Sequence, residues 1–143
     1  MMNIQVMMLI LMLLMPTESA QGHEAGITDT SIQVGYSSIA LEYTLPTKEL
    51  DLESSTYGVR PIQAVRQGWQ VSNGDQACEI SKFQQTSLAN IDSQQFKVLW
   101  QCEQAINVVN LNYSLFQWDE GHKNFVRISI LGRGQNVILS VKH

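Results

Sequence analysis

The stretch SIALEYTLP, residues 38–46, decides the fold because its side chains alternate between two faces of an extended chain. One face is apolar and carries Ile39, Leu41, Tyr43 and Leu45, while the other face carries small or polar side chains. This period of two is typical of a β-strand with one buried face. Pro46 lacks a backbone N–H and ends the strand.

A second strand is predicted just upstream, over residues 28–34, with Ile32 and Val34 facing inward. The short segment from Gly35 to Ser38 is rich in turn-forming residues. The two strands are therefore predicted to form a hairpin.

Alternation continues downstream and predicts further strands over residues 76–84, 96–102, 109–115, 126–130 and 137–141. Residues 86–94 are polar and are predicted to be a loop. The turn at residues 119–122 predicts that strand 126–130 is the hairpin partner of strand 109–115. Six or seven short strands separated by turns predict an all-β fold, a small antiparallel β-sandwich.

The middle of the chain departs from this pattern. Val59, Ile62, Val65 and Trp69 recur at helical spacing, and Pro61 suits a first helical turn, so one short helix is predicted over residues 60–69. The acidic segment KELDLE, residues 48–53, is predicted to be solvated.

The N-terminus predicts export. Val6–Met15 is an unbroken apolar run, too short for a bilayer core that needs about twenty residues, and it suits the helix of a secretory signal peptide. Small residues at Ala20 and Gly22 predict a signal peptide over residues 1–22 and one extracytoplasmic domain over residues 23–143. A cut after Ala20 is the alternative. Met1–Gln5 holds no Lys or Arg, which leaves open a membrane anchor that is not cleaved.

Charge excludes one class of partner. The chain carries nine Lys and Arg against thirteen Asp and Glu, and the charges are scattered. Nucleic-acid binding, which needs a basic patch, is therefore not expected. The domain is expected to be periplasmic or otherwise extracytoplasmic.

Cys78 and Cys102 are the two cysteines of the chain and predict a disulfide in an exported protein. Both lie on the apolar faces of their strands, which favours a buried bridge between facing strands. Metal ligation and a redox pair are the alternatives, although the spacing matches neither a CxxC motif nor a zinc pattern.

Three histidines are the candidates for metal binding. If the mature chain begins at His23, its amine and imidazole suit Cu or Ni, and a Gln21-Gly22-His23 terminus would bind Cu(II) or Ni(II) in a square plane. His122 lies three residues after Asp119, so both side chains could hold one metal ion. Two alternatives are open: Asp119 accepts backbone N–H bonds across its own turn while His122 hydrogen-bonds it to fix the hairpin, or His122 contacts a partner. His143 is expected to be inert.

No pattern predicts catalysis. The serines form no GxSxG elbow, and Gly132-Arg133-Gly134 is predicted to be a hairpin turn and not a phosphate loop. The protein is therefore expected not to be an enzyme.

Three stretches resemble the HupE/UreJ family of membrane proteins: residues 26–50, VLWQC at residues 98–102, and LFQWDEGHKNFVRI at residues 115–128. The resemblance implies the extracytoplasmic domain of that family, here without the His- and Asp-rich membrane helices that follow it in relatives and are supposed to handle a metal such as nickel. Transport is therefore not carried over. The expected function is a non-enzymatic accessory or binding domain that contacts a membrane protein or a metal. The alternative is a periplasmic Cu/Ni-binding protein that uses His23.

Overall fold

A computed structural model describes residues 26–130 and the backbone of residues 139–142. These described residues form mostly strands, in two sheets, with two α-helices. The elements in order are β1 (Ile27–Val34), β2 (Ser38–Pro46), α1 (Thr47–Tyr57), α2 (Pro61–Gly68), β3 (Trp69–Asn73), β4 (Gln76–Ala77), β5 (Glu79–Leu88), a 3₁₀ turn (Ala89–Ile91), β6 (Ser93–Gln101), β7 (Val109–Tyr113), β8 (Lys123–Ile130) and β9 (Leu139–Lys142).

The five-stranded sheet has the order β5-β6-β2-β1-β8, and the four-stranded sheet has the order β4-β3-β7-β9. The inward faces of both sheets supply one buried apolar cluster, to which Leu41 and Phe96 contribute from the first sheet and Val71 and Leu111 from the second. Tyr43 of β2 packs edge-on against Trp69 of β3, with ring centroids 5.6 Å apart. The all-β prediction is therefore confirmed in its coarser form, as two sheets around a shared core.

The predicted hairpin of the first two strands is confirmed. β1 and β2 pair antiparallel with Gln33 opposite Ala40, and the N–H of Gly35 donates to the carbonyl of Ser38 at 2.8 Å. The alternating face that the sequence assigns to the core is the buried one, since Ile39 and Leu45 are fully buried.

The predicted pairing of the last strands is wrong. β8 does not pair with β7; it joins the other sheet and lies parallel to β1, with Val126 opposite Thr30. β9 lies parallel to β7. Both sheets are therefore mixed and not purely antiparallel. An alternating strand specifies which face is buried but not which neighbour it pairs with, and the 114–122 loop is long enough to carry the chain from one sheet to the other.

The acidic segment is a helix, which makes two helices where one was predicted. Pro46 precedes α1, and Gly58 ends it in the left-handed conformation with φ 64°. Glu49, Leu50 and Glu53 lie on the buried side of α1, so two of the carboxylates predicted to be solvated are buried. The helix predicted at Pro61 is confirmed as α2, which buries Val65.

The polar stretch 86–94 is not all loop, because β5 continues to Leu88 and β6 begins at Ser93. Hairpin pairing satisfies the backbone of these residues even though few of their side chains are buried. Within residues 26–130 and 139–142, none of the helices has the length and apolar character needed to cross a bilayer.

Candidate functional site

The loop between β7 and β8, residues 114–122, carries the candidate site. The N–H of Ser114 donates to the carbonyl of Gly68 at 2.9 Å, which ties the start of the loop to the end of α2. The N–H of His122 donates to the carbonyl of Asp119 at 3.0 Å, and Asp119 Oδ1 accepts the N–H of Gly121 at 3.0 Å. The Asp119 carboxylate therefore holds its own turn.

The His122 side chain turns inward from this loop. Its Nε2 lies 2.8 Å from Tyr113 Oη and 3.3 Å from Thr28 Oγ1. The imidazole also stacks on Phe116, with ring centroids 4.2 Å apart and planes at 25°. These contacts connect the loop to β7 and β1 and fix the orientation of the ring.

Next to His122, side-chain hydroxyl groups form hydrogen bonds that connect the two sheets. Tyr113 Oη of β7 lies 2.9 Å from Tyr43 Oη of β2. Thr30 donates to Asn124 Oδ1 at 2.8 Å, and Thr28 donates to the same oxygen at 3.1 Å. We call Thr28, Thr30, Tyr43, Tyr113, His122 and Asn124 the hydroxyl network. It gives buried polar groups partners, which is the condition for burying them at low cost.

Burial keeps both phenols of the network protonated. Desolvation raises the pKa of Tyr113 to about 12, and the negative charge of Glu53 raises it further, against the lowering effect of hydrogen bonds from Tyr43 and Thr28. Desolvation also raises the pKa of Tyr43 well above its ordinary value, with the neighbouring Tyr113 adding to the effect. At neutral pH both side chains are therefore neutral hydrogen-bond donors.

A cleft of about 340 Å³ opens above the network. We call it the His122 cleft, and its walls are Tyr113, Leu115, Phe116, Gln117, Asp119, Glu120 and His122. Its floor is aromatic and its rim is acidic. The arrangement suits a ligand with an apolar or planar body and a positive charge.

A second cleft of about 250 Å³ adjoins the first, and the two share Leu115 and Gln117. Glu53 of α1 lines it, is only 2% exposed, and accepts the indole N–H of Trp118 through Oε2 at 2.6 Å. The sequence does not single out Glu53 as a site residue, because Glu49 and Asp51 beside it are acidic as well. The available signal was the spacing of Glu49, Leu50 and Glu53, which share one face of a helix.

The predicted disulfide between Cys78 and Cys102 is confirmed, with Cα atoms 4.4 Å apart. The bridge joins the ends of neighbouring strands and not facing ones, since the adjacent pair Glu79 and Gln101 belongs to the β5–β6 ladder. The N–H of Cys78 also donates to Val71 of β3. The disulfide therefore lies where the chain passes between the two sheets.

The structure brings Asp119 and His122 of the predicted metal site to one cleft. His23 and His143 lie outside the described residues, as does the predicted turn at residues 132–134. In the part of the chain that the structure describes, no group of three or more His, Cys, Asp or Glu side chains is placed to hold a metal ion.

Searches of family models, curated proteins and solved structures find no match to this chain. The resemblance to the HupE/UreJ family rests on the quoted residues alone and stays a prediction.

Proposed function

We propose that this chain is an exported, non-enzymatic accessory domain that binds a protein partner at the His122 cleft. The observation that carries the proposal is the fixed shape of the cleft, whose floor is held by the hydroxyl network. A site that is ordered before binding loses less entropy when it binds. The resemblance to the HupE/UreJ family suggests a membrane protein as the partner.

Two further observations support this proposal. The imidazole of His122 is engaged by two hydroxyls and a stacked ring, a set of contacts that suits a structural role for the side chain. The disulfide suits an oxidising compartment outside the cytosol. Together with the core that the two sheets share within the described residues, these observations support our proposal of a small sandwich domain.

Site-specific photo-crosslinking tests the partner. A photoreactive phenylalanine replaces Gln117, which is exposed and lines both clefts, in cells that express and export the full chain. The control position is Tyr36, which is 72% exposed in the β1–β2 turn. We expect one membrane protein to be crosslinked from position 117 and not from position 36. Equal crosslinking from both positions, or none from position 117, would contradict the proposal.

Export is tested by the intact mass of the protein recovered from the producing cells. We expect a chain that begins at His23 and is two hydrogens lighter than the reduced form, because the cysteines are joined. A mass that includes Met1 would contradict cleavage and identify a membrane-anchored domain.

A Cu/Ni-binding role for His23 is the second candidate, and the position of Gly26 favours it. A Cβ built on Gly26 would lie 3.0 Å from Asp119 Oδ2 and 3.4 Å from the Cα of His122. In this candidate, His23, which precedes Gly26 by three residues, would join Asp119 and His122 at one metal ion. Such a site would combine nitrogen ligands, which Cu(II) and Ni(II) favour, with one carboxylate.

Native mass spectrometry with added Cu(II) or Ni(II) tests this candidate. One tightly held ion that is lost in His23→Ala and weakened in Asp119→Asn would support it. No retained ion in the mature protein would exclude it and leave the partner-binding role.

A further inference from the structure

Glu53 is a buried carboxylate, and no Lys or Arg side chain of the described residues forms an ion pair with it. The ion pairs that Lys and Arg form among residues 26–130 are Lys97 with Glu42 and Arg127 with Asp29. Its Oε2 accepts the Trp118 indole N–H, and the described residues give Oε1 no hydrogen-bond partner. Burying an unpaired carboxylate is costly, so such a group usually has a cation or a ligand beside it.

The surroundings of Glu53 fit a planar organic cation. The Glu53 cleft is the 250 Å³ cleft described above, and its walls include the ring of Tyr57 and the polar side chains of Gln67, Ser114 and Gln117. Tyr57 is 51% exposed, and Trp118, whose indole N–H is bonded to Glu53, is 41% exposed. Aromatic faces next to a carboxylate attract cations both through the ring and through the charge.

We propose that the Glu53 cleft binds the guanidinium group of an arginine side chain supplied by the protein partner. Guanidinium is favoured over ammonium because it is planar, stacks on aromatic rings and is more weakly hydrated, so it loses less on burial. The cation would donate to Oε1 of Glu53 while Trp118 keeps its bond to Oε2. The inference rests on the proposed partner-binding function, because the Glu53 cleft shares Leu115 and Gln117 with the His122 cleft.

Peptide titration followed by NMR tests this inference on the full, oxidised chain. The probe is acetyl-Gly-Arg-Gly-amide, and the matched controls replace arginine with citrulline, its neutral isostere, or with lysine. We expect the arginine peptide to shift the Trp118 indole N–H resonance. The citrulline peptide should bind at least about tenfold more weakly than the arginine peptide. Equal binding of the citrulline peptide, or of the lysine peptide, would overturn the proposal.

Variants locate the site. Glu53→Gln keeps an acceptor for the Trp118 N–H but removes the charge, so we expect binding of the arginine peptide to fall about tenfold or more. Glu79→Gln, an exposed carboxylate on β5, is the control and should bind like the parent protein. If Glu53→Gln does not fold, Tyr57→Ala at the exposed wall serves instead, and unchanged binding in that variant would overturn the proposal.

The result is separable from the broader function. Crosslinking from position 117 without arginine binding would refute the guanidinium site and leave the partner-binding role in place. Absence of both would refute the two proposals together.

Discussion

Tyr113 connects three parts of the molecule through one oxygen. Its hydroxyl lies within hydrogen-bonding distance of Tyr43 on the facing sheet and of His122 in the loop. Its ring also packs against Trp69, with centroids 4.7 Å apart. A buried phenol that keeps hydrogen-bond partners stabilises the fold only while it remains protonated. The free energy of unfolding should therefore decrease at alkaline pH.

We expect the free energy of unfolding to decrease above about pH 10. The pKa of Tyr113 is about 12 in the folded protein, against an ordinary value of 10, so between these values the folded chain holds a proton that the unfolded chain has released. The contribution of Tyr113 to the free energy of unfolding is therefore complete below pH 10. Between pH 10 and 12 it decreases by about 1.4 kcal/mol per pH unit. Urea unfolding near pH 9, 10 and 11 measures the slope.

The control for this prediction is Tyr113→Phe. In this variant the free energy of unfolding should decrease less steeply with pH. The slope should not be zero, because the pKa of Tyr43 is also raised by burial. An unchanged slope would show that Tyr113 does not titrate as described.

Gly68 has no room for a side chain. A Cβ at this position would overlap Leu115 Cγ and lie 2.7 Å from Cδ2, and Leu115 is itself buried at the joint of the two clefts. We expect Gly68→Ala to destabilise the fold by about 1–3 kcal/mol through overpacking. In a Leu115→Ala background the same substitution should cost little, and a double-mutant cycle in urea measures the difference. Additive effects would contradict the contact.

At the scale of elements, α1 has two unlike sides. Its outward side is exposed and carries Leu52 and Tyr57 among polar side chains, while its inward side carries Leu50 together with Glu49 and Glu53. The buried carboxylates are the reason that this helix escapes recognition by hydrophobic spacing. Glu53 links α1 to the 114–122 loop through Trp118, so the helix and the candidate site are one unit.

The disulfide is the covalent link between elements. Cys78 follows β4 and Cys102 follows β6, with 24 residues between the two positions in sequence. Closing a loop of this length in the unfolded chain stabilises the fold by about 3 kcal/mol on the chain-entropy account. We expect Cys78→Ala with Cys102→Ala to lose about that much in urea unfolding. A loss below about 1 kcal/mol would show that the β5–β6 pairing alone holds this end of the sheet.

At the scale of the whole molecule, the inner and outer strands of the five-stranded sheet differ in how they are protected. β2 lies between β1 and β6, while β5 and β8 are the outer strands of the five-stranded sheet. β8 exposes Phe125 and Ile130, and β5 carries a register shift between Ile80 and Lys82. Bulges and charged side chains on outer strands hinder pairing with other chains.

Amide hydrogen exchange should therefore follow strand position. We expect amides of β2 to exchange only through global unfolding, because this strand has neighbours on both sides and fully buried side chains. Amides of β5 should exchange through local opening. Exchange measured by mass spectrometry at increasing urea distinguishes the two, and equal protection of β2 and β5 would contradict this order.

Features that depend on residues close together in the chain could be predicted from the sequence. Alternation identified β1 and β2 and the face of each that is buried, Pro61 marked the start of α2, and two cysteines predicted one disulfide. Each of these follows from side-chain periodicity, backbone restriction or residue count, and these properties are present in the amino-acid sequence whatever the tertiary structure.

Tertiary structure alone decided which distant residues meet. The pairing of β8 with β1, the burial of Glu53 against Trp118, and the contact between the hydroxyls of Tyr43 and Tyr113 join residues far apart in sequence. An alternating strand fits more than one neighbour, and an acidic segment fits water as well as a buried helix face. Packing across the whole core decides between these arrangements, because the cost of burying each polar group depends on the partner that the fold places beside it.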